Sequence, residues 1–333
     1  MPEALRIGLL GCGKQAGKHV SGLRATGRSI DIVTYDADPD AAKAFAERNS
    51  VSTADSEAAI FGDAGIDAVI VATPTPFHHD AILAALDAGK HVFCEKPLCT
   101  TRVEAERIRD ASLAAGRFVQ VGFIYRFVPT YMALHDALEA SPPPLGPLVM
   151  ALLRIGGRGS HAVWKHRKAS RGGAINEMLV HGLDLAMWLF GPVADAKWHE
   201  SLLLRPRRKI DGVEEAVDAE DFVLVTGTAR SGPHVVIQAD LVTPSFQQYL
   251  EVQGENGSFL GSIQPNFPSY FALTEARQGF AAGRTAIDYP QTNLFDRQMA
   301  NLVDNIDRGA AVGCATVHES IRLIEILEQS RGN

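Results

Sequence analysis

Cysteine is scarce: Cys12, Cys94, Cys99 and Cys314 are the only four in 333 residues. Their positions have neither metal-ligand nor disulfide-framework spacing, so no metal is expected and the thiols read as reduced. Long apolar runs are missing too. No stretch approaches the roughly 18 residues of a membrane span, and Met1-Pro2-Glu3 leads straight into a strand pattern without an apolar signal segment. A cytoplasmic protein is expected. Basic charge is not in excess either. With 32 Lys and Arg against 39 Asp and Glu, the net charge is −7, which speaks against a nucleic-acid or anionic-membrane partner. Internal repeats and low-complexity tracts are absent.

What is present suits a globular enzyme of two domains. The length exceeds one small core, and 46% hydrophobic with 21% charged residues is ordinary. Residues 1–122 alternate β-rich runs at 5–10, 30–35, 67–72, 90–94 and 117–121 with helical patterns near 14–26, 38–49, 78–89 and 101–115. Asp67-Ala68-Val69-Ile70-Val71-Ala72 is a nearly continuous apolar run, as expected of a parallel strand buried on both faces. This alternation predicts an α/β fold with a doubly wound parallel sheet, whose ligands sit at the carboxyl ends of the strands. From 123 to 333 the texture changes to α+β. A helix at 128–140, long strands at 147–155, 193–204, 217–229, 233–243 and 248–254, and one periodic helix at 174–190 predict a large, mostly antiparallel sheet with one face covered by helices. The amphipathic helical segment 293–331 is expected to pack back on the first domain.

Chemistry first shows at Gly11-Cys12-Gly13-Lys14-Gln15-Ala16, which follows the strand Leu5–Leu10 and opens a helix. Gly11 permits a tight turn, Gly13 permits close approach of a pyrophosphate to main-chain N–H groups, and the helix N-terminus faces the phosphates. Asp36, at the end of the second strand roughly 20 residues further on, is the expected acceptor for a ribose 2′-OH and repels a 2′-phosphate. The expected cofactor is NAD(H). Glu95-Lys96-Pro97 follows the fifth strand. Lys96 there orients a substrate hydroxyl, or is simply a solvated lysine at a strand end. Glu177, His181 and Asp184 share one face of the 174–190 helix, either as a carboxylate-tuned histidine or as a capped helix with a structural one. The acid-free run His161 to Arg171, with Lys165, Arg167 and Lys168, reads as an anion clamp or a solvated loop. Arg205-Pro206-Arg207-Arg208-Lys209 reads as an exposed loop without a role.

These residues resemble a known family. Ile7-Gly8-Leu9-Leu10-Gly11-Cys12-Gly13 with His19, Val71-Ala72-Thr73-Pro74 with His78, Ala88 to Leu98 around Glu95-Lys96-Pro97, Val121-Gly122-Phe123 with Arg126, Phe127 and Pro129, and Gly172-Gly173-Ala174 with His181 and Asp184 are similar to the motifs of the Gfo/Idh/MocA oxidoreductases. The resemblance implies a Rossmann domain followed by a substrate domain, and NAD(H)-dependent interconversion of hydroxyl and ketone on a sugar, cyclitol or sugar derivative. It implies Lys96 and His181 as proton-transfer groups converging on one cleft, with Glu177 in place of the usual aspartate partner of the histidine. It adds Thr73, Pro74, His78 and Glu95 to the cofactor contacts, and Arg126, Trp164 and Asp184 to the substrate contacts. Thr75 replaces the usual asparagine after Thr73-Pro74. The basic run tilts the substrate toward an anionic sugar or nucleotide sugar. A homo-oligomer formed through the C-terminal sheet is implied. The same fold also serves non-catalytic regulators, against which Lys96 and His181 argue, and NAD-assisted glycoside hydrolases.

One outcome follows from Asp36 alone. NADH should bind more tightly than NADPH by titration, and Asp36→Ala should weaken that preference, because it removes both the ribose acceptor and the repulsion. Equal affinities in the wild-type protein would remove the role given to Asp36.

Overall fold

The computed structural model describes residues 4–157, 162–210, 212–230, 232–264, 266–289 and 291–329. The described residues divide into two compact units, one of residues 4–124 with 292–329 and one within residues 125–291.

The first unit begins with β1 (Leu5–Leu10), α1 (Lys14–Ala25), β2 (Ile30–Tyr35), α2 (Pro39–Asn49), β3 (Ser52–Thr53), α3 (Glu57–Gly62), β4 (Ala68–Val71), α4 (His78–Asp87), β5 (His91–Cys94), α5 (Arg102–Ala115) and β6 (Val119–Val121). The parallel strands run in the order β3-β2-β1-β4-β5-β6. Strand order reverses at β1, so the crevice beyond the carboxyl ends of β1 and β4 is where such a sheet binds ligands. Every residue of β4 and β5 is buried, as the apolar run implied. The short β3 and α3 were not foreseen. Two residues of strand and six of helix are too brief for periodicity to reveal, although Ser56 caps α3 by accepting from Ala59 N.

The second unit contains α6 (Pro129–Glu139), β7 (Leu148–Gly156), a wide turn over Ile175–Leu179 that runs on into α7 (Val180–Phe190), then β8 (Lys197–Leu202), β9 (Arg207–Ile210), β10 (Val213–Ala216), β11 (Phe222–Thr228), β12 (His234–Asp240), β13 (Gln247–Gly254), β14 (Gly257–Gly261), β15 (Tyr270–Leu273) and β16 (Gly283–Ala286). Eight strands form one sheet in the order β16-β15-β14-β13-β7-β12-β11-β8, antiparallel except for the β7–β12 pair. Burial alternates along β11, β12 and β13, the pattern of a sheet with one packed face. Gly182 lets α7 lie close on that face, since a Cβ there would stand 2.7 Å from Ile237 Cγ2.

Two expectations need correction here. The strands foreseen at 193–204 and 217–229 shrink to β8 and β11, and the basic stretch around Arg207 is no loop. Arg207–Ile210 pairs antiparallel with Val213–Ala216 as a separate hairpin. Arg208, half-buried, donates to His166 Nδ1 at 3.0 Å and to the Leu241 carbonyl.

The chain returns to the first unit with α8 (Leu294–Arg308), β17 (Ala315–Thr316) and α9 (Val317–Gln329). β17 adds an antiparallel edge strand to β6. Met299, Leu302 and Val303 of α8 join the core of Ile7, Leu9, Val20, Leu23 and Phe93, each large side chain contributing about 1.5–3 kcal/mol by its burial. Contact with α1 is close at Gly22, where an added Cβ would stand 2.6 Å from the Phe295 carbonyl oxygen and 2.9 Å from Met299 Cγ. Helix propensity alone favours Gly22→Ala by about 1 kcal/mol. Overpacking against backbone costs more, so this variant should lose about 1–3 kcal/mol in denaturant unfolding. A stabilised variant would show that α1 and α8 are not packed this way.

Candidate functional site

The turn after β1 is shaped by its neighbour. Gly11 has φ +91°, and a side chain there would stand 2.8 Å from the Ala72 carbonyl oxygen; only glycine combines that conformation with so close an approach. Gly13 has open space where a Cβ would be. It begins α1 without any side-chain cap, so the first N–H groups of the helix are left for an anion. Asp36 is placed by two main-chain donors, Cys12 N at 2.8 Å and Asp38 N at 3.0 Å. The glycine turn and the end of β2 are thereby held as one piece.

Other foreseen cofactor residues gather on the same strand ends. Lys14 is exposed at the start of α1, while Gln15 Oε1 and Thr73 Oγ1 are buried polar atoms without a hydrogen-bond partner among the described residues. Such atoms cost about 1–3 kcal/mol each unless a ligand or water satisfies them. Pro74 is exposed and starts the short turn Thr75–Phe77. His78 lies between two carbonyls, with Nε2 2.8 Å from Thr73 O and Nδ1 2.9 Å from Pro97 O, which pins the turn after β4 to the loop after β5. Burial pushes the His78 pKa down, and its carbonyl contacts and Glu95 oppose this only in part. These residues fit a dinucleotide: an uncapped helix end, an open glycine, orphaned polar atoms and a fixed carboxylate all stand around one turn.

Glu95, expected as a cofactor contact, is engaged from within the protein. Its Oε1 lies 2.8 Å from Nε2 of fully buried His19, and its Oε2 accepts from Lys96 N at 3.2 Å. Burial by itself raises a carboxyl pKa; here the His19 hydrogen bond and charge, then the Lys96 charge and N–H, outweigh it and hold Glu95 at about 2. His19 sits on the apolar stripe of α1 with Ala16, Val20 and Leu23, edge-on to Phe93 and Phe295. A polar residue on such a stripe needs a partner, and that was the available signal for this pair. Lys96 itself is half-buried at the end of β5.

In the second unit, α7 carries His181 and Asp184. Asp184 and Arg126, both expected to touch substrate, form a two-point ion pair at 3.0 Å and 2.6 Å. Both side chains are almost wholly buried, and Arg126 lies over the Trp188 ring. The pair holds α7 to the start of the unit. Tyr125, which sequence reasoning missed, packs its ring 4.7 Å from that of His181. Glu177 lies in the wide turn, where Val180 N reaches back five residues to Ile175 O. The step from Glu177 to His181 therefore does not cross a regular α turn. The Glu177 carboxylate accepts from Lys165 Nζ at 2.6 Å. Trp164 is exposed, with Lys165 Nζ over its ring.

The basic run meets acids. Lys165 pairs with Glu177, Arg167 with Glu215 of β10 at 3.7 Å, and the charge of Lys168 acts on Glu220. His161 lies outside the described residues. Among those described, no group of three or more His, Cys, Asp and Glu could hold a metal, and no helix is long and apolar enough to cross a membrane.

Comparison with known proteins agrees with this geometry. Residues 5–123 match the model of an oxidoreductase family with an NAD-binding Rossmann fold, and residues 144–260 match the Gfo/Idh/MocA C-terminal domain. The chain belongs to the Gfo/Idh/MocA family. It is an NAD-dependent oxidoreductase. It is 35% identical over 270 residues to an inositol 2-dehydrogenase of Acidothermus cellulolyticus, covering 79% of this chain and 74% of that one. It is 30% identical over 318 residues to inositol 2-dehydrogenase 3 of Saccharopolyspora erythraea, covering 93% and 87%. A levoglucosan dehydrogenase in complex with NADH and levoglucosan shares the fold, with a TM-score of 0.86 at 20% identity over 99% of this chain and 97% of that one.

The Glu95–His19 pair makes a prediction about acid. Because the folded pKa of Glu95 is depressed, its contribution is complete above the unfolded value of 4.5 and is lost as pH falls through about 2. Between about pH 5 and pH 2 the wild-type protein should lose on the order of 3 kcal/mol more than Glu95→Gln in denaturant unfolding. Parallel stability curves for the two proteins would contradict this account of the pair.

Proposed function

We propose that this protein oxidises a secondary hydroxyl of an uncharged cyclitol or sugar to the ketone, reversibly. The observation that carries the choice of an uncharged substrate is the pairing of the basic run: Lys165 with Glu177 and Arg167 with Glu215. A clamp for a carboxylate or phosphate needs unspent cations, and two of the four cations in this run, Lys165 and Arg167, are answered by the protein's own acids. The anionic sugar expected from the sequence loses the part of its support that rested on Lys165 and Arg167. The inositol 2-dehydrogenases among the relatives agree with a neutral polyol.

NAD+, when bound, would supply the hydride acceptor. Gly11, Gly13 and the first N–H groups of α1 would hold its pyrophosphate, and Asp36 its ribose. Lys96 donates a hydrogen bond to the substrate oxygen and stabilises the alkoxide charge that develops there. His181 accepts the hydroxyl proton. Glu177, tethered by Lys165, tunes the field around that histidine, and exposed Trp164 offers an apolar face to a sugar ring.

A screen of NAD+ reduction against cyclitols, neutral sugars and sugar acids tests the reading. Turnover is expected with neutral polyols, and Lys96→Ala or His181→Ala should lower kcat by about 10²-fold or more while NADH binding survives. Arg167→Ala should change KM for the best substrate by less than about threefold, since an exposed ion pair contributes little. Turnover confined to sugar acids, or near-wild-type kcat in both alanine variants, would overturn it.

A further inference from the structure

The helix that carries His181 lacks a cap of its own. Its wide first turn starts at Ile175 after Gly172-Gly173-Ala174, and no local side chain accepts from its first N–H groups. A helix start leaves such donors unpaired. Here they are met from far along the chain. Ala174 N donates to the Glu220 carbonyl at 2.9 Å, and Ile175 N donates to Glu220 Oε1 at 3.0 Å. One residue thus receives two successive donors, through its main chain and through its carboxylate.

The surroundings are built around that carboxylate. Gly173 has φ +106°, and a Cβ on it would stand 2.2 Å from Glu220 Oε1 and 2.6 Å from Cδ. Only glycine leaves the space. Gly172 is equally confined, with a Cβ placed 2.4 Å from the Lys165 carbonyl. The glycine pair is held from the other side by Gly172 N to Arg167 O and Gly173 N to Lys165 O, both 2.9 Å. Glu220 is itself fixed, because it immediately precedes Asp221, whose carboxylate accepts from Leu204 N and Arg205 N and whose carbonyl accepts from Leu241 N. β11 starts at the next residue. Burial pushes the Glu220 carboxyl pKa up, against the Ile175 N–H and the charge of Lys168.

The geometry points to Glu220 as a positioning residue of the reaction: it fixes where the wide turn before α7 begins, and through that turn the placement of Glu177 and His181. The cause is geometric. The turn from Ile175 to Leu179 holds one residue more than an α turn, and such insertions are metastable and frequent at functional sites. With the first two N–H groups fastened to the sheet, the extra residue has one place to sit. With Glu220 cut back, the helix can restart as regular α, which rotates Glu177 relative to His181. Lys165, which pairs with Glu177, also lends its carbonyl to Gly173, so the shift reaches that ion pair as well.

This inference rests on the proposed role of His181, and two readouts separate it from that role. The first is turnover with a neutral polyol in Glu220→Ala and Glu220→Gln. The second is the titration of the His181 ring by NMR, assigned with His181→Asn, which requires neither substrate nor NAD. Glu220→Ala is expected to lower kcat about tenfold or more, with NADH affinity unchanged and the His181 midpoint displaced. Glu220→Gln keeps an acceptor oxygen for Ile175 N and should restore most of the kcat and the wild-type midpoint. If Glu220→Ala merely lowers Tm and leaves kcat and midpoint unchanged, Glu220 only supports the fold and the inference fails. If Glu220→Ala does not fold, Glu220→Gln decides: a large loss of kcat with a displaced midpoint refutes the acceptor role. If the wild-type protein reduces no NAD+ with any polyol, the proposed function fails, while the NMR comparison still decides for or against Glu220.

Discussion

A buried carboxylate next to a buried imidazole governs the first unit. Glu95 follows β5 directly, immediately before Lys96, and His19 lies one turn into the helix that starts at the glycine turn. Their bond therefore ties the helix that starts at the glycine turn to the segment that carries Lys96. Removing two such groups from water is costly, and breaking the pair while one stays buried costs more than the pair gains. Whatever moves Lys96 must thus also move α1. His78 adds a second tie between strand ends through Thr73 O and Pro97 O, and Asp36 adds a third through Cys12 N. Three ties, made by His19 with Glu95, by His78 and by Asp36, hold the turns beyond the ends of β1, β2, β4 and β5 together.

The second unit solves a different problem. Its sheet is large and mostly antiparallel, and the helix with His181 must be held on one face of it. Arg126 and Asp184 brace that helix from within, Gly182 brings it close to β12, and Glu220 fastens its first turn. Two of the cations ahead of the helix, Lys165 and Arg167, pair with Glu177 and Glu215.

The parts legible in the sequence were those whose cause is local. The glycine turn, Asp36 and the order of strands and helices in 5–121 follow from patterns a few residues wide, and their positions differ from the structure by a residue or two. The periodic helix ending at Phe190 was legible for the same reason. The wide turn at Ile175–Leu179 was not, because one inserted residue leaves the apolar spacing nearly unchanged. The hairpin of β9 and β10 was hidden by its charges, which read as a solvated loop until Arg208 was seen reaching His166. Strands β14 to β16 are four or five residues each, too short to stand out. Partnerships across the chain were least legible: the Arg126–Asp184 pair spans 58 positions, and the contact of Glu220 with Ile175 spans 45. Sequence shows which residues are chemically able; it does not show which of them have already been spent on each other.

Hydride transfer is the central claim, and a deuterium label follows it directly. A neutral cyclitol deuterated at the carbinol carbons is incubated with the protein and NAD+, and the nucleotide and organic products are examined by mass spectrometry and NMR. The account predicts one deuterium delivered to nicotinamide C4 for each ketone formed, with net accumulation of labelled NADH. Tight NAD binding with no label transferred from any neutral cyclitol would contradict it.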